Sequence, residues 1–127
     1  MAGVRLFEEQ LQLTAPHTLN ALTKLVMAMA NVTKNAGKRT LLGRDKGQES
    51  YSRFLEALEK TLQSMVLDGI IRESTSTEEV AIELEKKLEK FSMAFPNWQD
   101  AYAFAGMFFG EKRKDAIATI ERLRAVP

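Results

Sequence analysis

Apolar residues recur along this chain at steps of three and four, the spacing that lines one face of an α-helix. The first clear stripe is Leu19, Leu22, Leu25, Val26, Met29 and Val32. Thr14 stands where an N-cap belongs, and Pro16 fits the first turn because its missing N–H would have no partner there. Gly37 supplies the stop. A second stripe, Tyr51, Phe54, Leu55, Leu58, Leu62, Met65 and Val66, predicts a helix from near Gln48 to Gly69. After a polar run, Ser76 and Glu79 stand three apart as a capping box requires. Val80, Leu84, Leu88, Phe91 and Phe95 then form a third stripe, backed by a charged face in which Glu83 and Lys87 make an i,i+4 pair. Pro96 ends that helix, since the residue before a proline is pushed out of helical geometry. Asn97 is placed to cap the next, which carries Trp98, Ala101, Tyr102, Ala105, Phe108 and Phe109. Gly110 kinks or ends it, and Ala116, Ile117, Ile120 and Leu123 continue the pattern. For residues 1–13 the spacing of Leu6, Phe7, Leu11 and Leu13 favours a short helix, with an extended arm as the alternative. The expected architecture is all-α: a single-domain bundle of about five helices spanning 1–127, with short loops and one long connection, Gly37 to Gly47.

Composition narrows the function more than the fold. The 127 residues and 14.3 kDa suit one domain, and 45% hydrophobic with 28% charged residues is an ordinary globular balance. There is no cysteine, which excludes disulfides, thiolate metal sites and cysteine nucleophiles. His17 is the single histidine, so a multi-histidine metal site is excluded as well. No Glu-x-x-His pair and no nucleophile elbow occur. The uncharged stretch from Ala101 to Gly110 is far shorter than the ~20 residues of a membrane span. The first ten residues carry acids where a signal peptide needs an apolar core. These features predict a cytoplasmic protein that is no enzyme and needs no cofactor, metal or membrane.

Charge is distributed unevenly. Residues 1–50 carry seven cations and four anions, residues 51–100 six and ten, and residues 101–127 five and three. Two basic ends therefore flank an acidic middle, beneath a net charge of only +1. Such a layout serves a nucleic-acid face, and equally the head-to-tail packing of copies. The connection from Gly37 to Gly47 holds three glycines and four cations, Lys38, Arg39, Arg44 and Lys46. Glycines let backbone N–H groups turn towards an anion while the cations supply charge. It is no nucleotide-binding P-loop, because Val32 and Arg39 occupy the places of the first glycine and the final hydroxyl. Lys112, Arg113 and Lys114 form a second cluster. These seven residues are the candidates for phosphate-backbone contact.

Seven of the ten aromatic residues fall between Phe91 and Phe109. A helix with one apolar face cannot aim Tyr102, Phe104, Phe108 and Phe109 at one core, since together they cover most of its circumference. Either the helix is central and surrounded, or Trp98, Tyr102, Phe104, Phe108 and Phe109 present a surface to a protein partner. Gly106 and Gly110 would permit close approach of another helix. The stretch Phe95-Pro96-Asn97-Trp98 through Gly106-Met107-Phe108-Phe109-Gly110 resembles the aromatic, glycine-bearing closing helices of the small α-helical subunits of CRISPR effector complexes. That resemblance covers the last third of the chain and rests on texture. It implies a non-catalytic antiviral-defence subunit that packs beside other subunits, copies of itself among them, and holds RNA or its target through scattered Lys and Arg. The alternative is a small regulatory or inhibitory protein that binds its partner through the aromatic surface.

Overall fold

The computed structural model describes residues 9–38, 43 and 45–125. Its helices are α1 (Pro16–Asn35), α2 (Lys46–Leu67), α3 (Thr77–Ala94), α4 (Gln99–Gly106) and α5 (Arg113–Ala125), with a π-helical turn, Met107–Glu111, joining the last two. Residues 9–14 are helical as well, while the rest of the doubtful N-terminal segment lies outside the described residues. Among the described residues no strand occurs and no helix is long and apolar enough to cross a membrane. The all-α bundle read from the periodicity is the observed fold.

The antiparallel pair α1 and α2 is fastened at both ends. Thr14 does not cap α1: its hydroxyl donates back to the Gln10 carbonyl at 2.7 Å, and Ala15 takes the N-cap position without a side-chain bond. The cap comes instead from the far end of α2. Asp68 places one carboxylate oxygen 2.6 Å from the Thr18 N–H and the other 2.8 Å from His17 Nδ1. A carboxylate belongs there, because the first turn of a helix offers unpaired N–H groups and partial positive charge. Burial works against the charged form of Asp68, but its bonds from Thr18 and the His17 imidazole outweigh that and hold the carboxyl below its usual 3.8. At the opposite end the Asn35 amide donates to the Ser50 hydroxyl at 2.7 Å. Past α2, Gly69 adopts φ +74, and the N–H groups of Gly69 and Ile70 return to Val66 and Met65. That paired closure satisfies the last carbonyls of the helix and turns the chain sharply.

The remaining boundaries follow local chemistry with three adjustments. The Ser76 hydroxyl accepts from the Glu79 N–H at 3.2 Å, as the capping pattern requires. Asn97 does not cap α4, whose N-cap position is Trp98 with no side-chain bond. Glu83 pairs with Lys86 at 3.9 Å, three residues on, rather than with Lys87. α2 starts at Lys46, ahead of Gln48, because the Asp45 carboxylate accepts from the Gln48 N–H at 3.2 Å.

The segment from Gln99 to Glu111 is the centre of the molecule. Ala101, Phe104, Ala105, Phe108 and Phe109 are all buried, with α1 packed along one side and α3 along another. Phe54 of α2 meets Phe104 and Phe108 edge-on at 4.9 and 5.2 Å, the favoured geometry for two quadrupoles. The Lys112 N–H reaches the Met107 carbonyl at 2.9 Å, a five-residue step. That step inserts a residue and rotates the following side chains relative to an α-helix. Of the two sequence alternatives, the central helix is the one observed, packed on two sides by α1 and α3 and open to solvent on another. Phe104, Phe108 and Phe109 are core rather than partner surface, and Trp98 and Tyr102 lie half-buried against them. The Tyr102 hydroxyl, placed 2.8 Å from the Phe95 carbonyl and 3.2 Å from that of Phe91, ties α4 to the end of α3. Burial pushes its phenol up to about 12. What this segment shows to solvent is Gln99, Asp100, Ala103 and Gly106 of α4 and Met107, Gly110 and Glu111 of the π-helical turn. A Cβ at either glycine would meet nothing within 4 Å among the described residues, so none of the described helices uses the close approach they allow.

Two stability outcomes follow. Phe109→Ala and Phe104→Ala should each cost about 3–5 kcal/mol in chemical denaturation, since each removes a ring from a filled core. Asp68→Ala should cost about 1–2 kcal/mol, the range for losing a helix cap. Because the folded Asp68 carboxyl is held low, its contribution is complete above the unfolded value near 4 and is lost as pH falls through the folded one. Denaturant midpoints measured from pH 6 down to pH 2 should therefore fall less steeply for Asp68→Asn than for the wild type.

Candidate nucleic-acid interface

The basic connection begins and ends in a narrow neck. The Lys46 N–H donates to the Lys38 carbonyl at 2.9 Å, so the two lysines stand side by side where α1 ends and α2 begins. The Lys38 N–H is itself bound to the Asn35 carbonyl at 3.1 Å, and Gly37 takes φ +75. At Gly47 it is contact rather than conformation that favours glycine. A Cβ there would lie 3.2 Å from both the Asn35 carbonyl and an Asp45 carboxylate oxygen, and 3.6 Å from the Gly37 nitrogen. The neck is thus closed by backbone bonds, by the Asn35–Ser50 contact and by the Asp45 cap. Both lysines are exposed, and neither enters an ion pair among the described residues. Arg39 and Arg44 lie outside the described residues. Asp45, the nearest acid in sequence, has its carboxylate engaged on the Gln48 N–H.

The second cluster is not brought to this neck. Thr33, near the end of α1, donates to the Asp100 carbonyl at 3.2 Å, which puts the start of α4 beside the neck. Lys112 is twelve residues further on, about 18 Å along a helical path at 1.5 Å per residue. The three cations there have separate duties. Lys112 and Lys114 are exposed. Arg113 is half-buried, donates to the Phe109 carbonyl at 2.8 Å and meets Glu85 of α3 at 3.3 Å. It braces the kink after the π-helical turn against α3, and is removed from the set of free cations. Arg124 is also taken up, donating to the carbonyls of Arg72 and Glu73 and to the Thr77 hydroxyl.

The structural residues of the neck escaped the periodicity argument because none is apolar. Asp45, three places before Gln48, is the one with a legible signal, since aspartate is a favoured N-cap. Among the described residues no group of three or more His, Asp or Glu side chains converges as metal ligands would. His17, the one imidazole, is engaged with Asp68. No protein-family model, curated protein or solved structure matches this chain.

The division among cations has a direct test. Arg113→Gln should lower stability by about 1–2 kcal/mol, chiefly through the charged hydrogen bond to Phe109, because an exposed ion pair contributes little. Lys112→Gln and Lys114→Gln should stay within about 0.5 kcal/mol of wild type. Urea denaturation of the three single variants separates the roles.

Proposed function

We propose that this chain is a non-catalytic helical subunit of a larger ribonucleoprotein-type assembly in the cytoplasm, touching nucleic-acid backbone through the neck of its basic connection and packing against neighbouring subunits. The observation that supports it most directly is the pair Lys38 and Lys46, held together by a backbone hydrogen bond, exposed, and in no ion pair among the described residues. Arg39 and Arg44 lie between them in sequence and add charge to the same connection. Lys112 and Lys114 are a second contact, about 18 Å along the central helical path from Asp100. Binding of this kind neutralises phosphates and releases condensed counterions, with little reading of bases. The likeness of the 95–110 stretch to the small subunits of CRISPR effector complexes points to the same class of role. The alternative of a regulator docking through its aromatic helix is not carried forward, because Phe104, Phe108 and Phe109 are buried in the core and Trp98 and Tyr102 are half-buried against it.

The variant Lys38→Gln/Arg39→Gln/Arg44→Gln/Lys46→Gln should melt close to the wild type, as exposed cations contribute within about 0.5 kcal/mol each. Its affinity for single-stranded RNA should fall by a similar factor across unrelated sequences. The slope of log affinity against log salt should shrink by about 0.7 per lost contact. Titrations at three salt concentrations measure both quantities. Unchanged affinity and slope would remove the neck from any nucleic-acid contact.

A further inference from the structure

At the end of the bundle remote from the basic neck, an open cleft of about 1150 Å³ lies between the last turns of α2, the turn before α3, and the last turns of α5. Its floor is apolar, with Leu62 and Ile71 buried beneath it. Its α2 wall, shared with Glu59 and Gln63, carries two uncovered apolar side chains: Leu67 is 71% exposed and Val66 41%. Ile117 and Leu123 form the α5 wall, half-buried.

The edge of this cleft is acidic. Glu59, Glu73, Glu78 and Glu121 line it, and none of them forms an ion pair among the described residues. The single cation in the lining among the described residues is Arg124, whose guanidinium is turned onto the Arg72 and Glu73 carbonyls and the Thr77 hydroxyl. That side chain fixes the wall and offers an anion little. α2 ends here, and a helix C-terminus adds partial negative charge. α3 begins here too, but its start is met by the Ser76 cap and by Glu78 and Glu79 in its first turn.

The size and the pattern of groups point to one kind of occupant. The volume exceeds the ~300–1,000 Å³ of a small-molecule cleft, and the apolar part is a trough rather than a closed cavity. An apolar trough flanked by carboxylates matches a helix with one aliphatic face bordered by Lys or Arg. We propose that this cleft seats a basic amphipathic segment of a protein partner, its aliphatic side chains against Val66, Leu67 and Leu123 and its cations at the glutamate rim. This site is distinct from the lysine neck and does not depend on the nucleic-acid reading.

The probe is a helical peptide of about 18 residues, five turns, built from Leu and Lys with one apolar face. A peptide of the same pattern with Glu in place of Lys is the control. Fluorescence anisotropy with the full chain should give saturable binding of the Leu/Lys peptide and none of the Leu/Glu peptide. Glu73→Lys/Glu121→Lys and Leu67→Asp change exposed residues, so both should fold, and thermal melts followed by circular dichroism check this. Each should weaken binding at least about tenfold. Glu89→Lys/Glu111→Lys makes the same change in net charge at exposed positions outside the cleft and should leave binding within about twofold. The proposal is overturned by equal binding of both peptides, by groove variants that bind like wild type, or by a control variant that weakens binding as much as the groove variants do. It is also overturned if sedimentation shows the chain alone self-associating and Leu67→Asp abolishes that association, for the occupant is then a second copy.

Discussion

A ten-residue run without a charge, Ala101 to Gly110, contains three phenylalanines and a tyrosine, and a chain this small has one place to put it. Burying each ring is favourable by roughly 1.5–3 kcal/mol, and edge-on pairs add about 0.5–1.5 kcal/mol each. Phe54 is the partner that turns this burial into a fold, since its ring meets Phe104 and Phe108 together. With α2 held there, α1 follows through the Asp68 and Asn35 fastenings, and α3 is joined through the Tyr102 hydroxyl. The central position of α4 thus decides which faces of the other helices are inside.

This constraint also explains which features of the sequence were legible. Stripes such as Leu22, Leu25, Val26 and Met29 showed their buried face directly, because regular helices repeat their inward positions. Gly37, Gly69, Ser76 and Pro96 marked boundaries because each acts through its own backbone or its near neighbours. Asp68 could not be recognised in this way. It closes its own helix and caps another fifty residues earlier, a partnership that spacing along the chain does not encode. Thr14 and Asn97 failed as caps for the opposite reason, having the right chemistry one residue away from the right geometry.

The aromatic segment was legible in content and ambiguous in consequence. Aromatic side chains spread around a helix signal either a surrounded helix or a sticky one, and the two differ only in what packs nearby. The π-helical turn adds a phase shift that no count of three- and four-residue steps would reveal, and it carries Phe108 and Phe109 inward together. The candidate site divided similarly. A basic run is visible in any sequence, but whether a cation is free depends on acceptors brought close by folding.

The described cations sort by chemistry in a way that bears on function. Arg113 and Arg124 are planar donors with several N–H groups, and each finds carbonyl oxygens left over at a kink or a turn. Lys38, Lys46, Lys112 and Lys114 have compact, strongly hydrated charges for which such sites offer little, and they stay in solvent. The carboxylates divide too. Asp45 and Asp68 lie on helix starts, whereas Glu59, Glu73, Glu78 and Glu121 gather around an apolar cleft and form no ion pair among the described residues. Among the described residues, folding therefore engages the charges that can reach backbone groups and leaves lysines at the neck and glutamates around the cleft at the other end without ion pairs. Charges left over at opposite ends of one bundle serve two different ligands better than one.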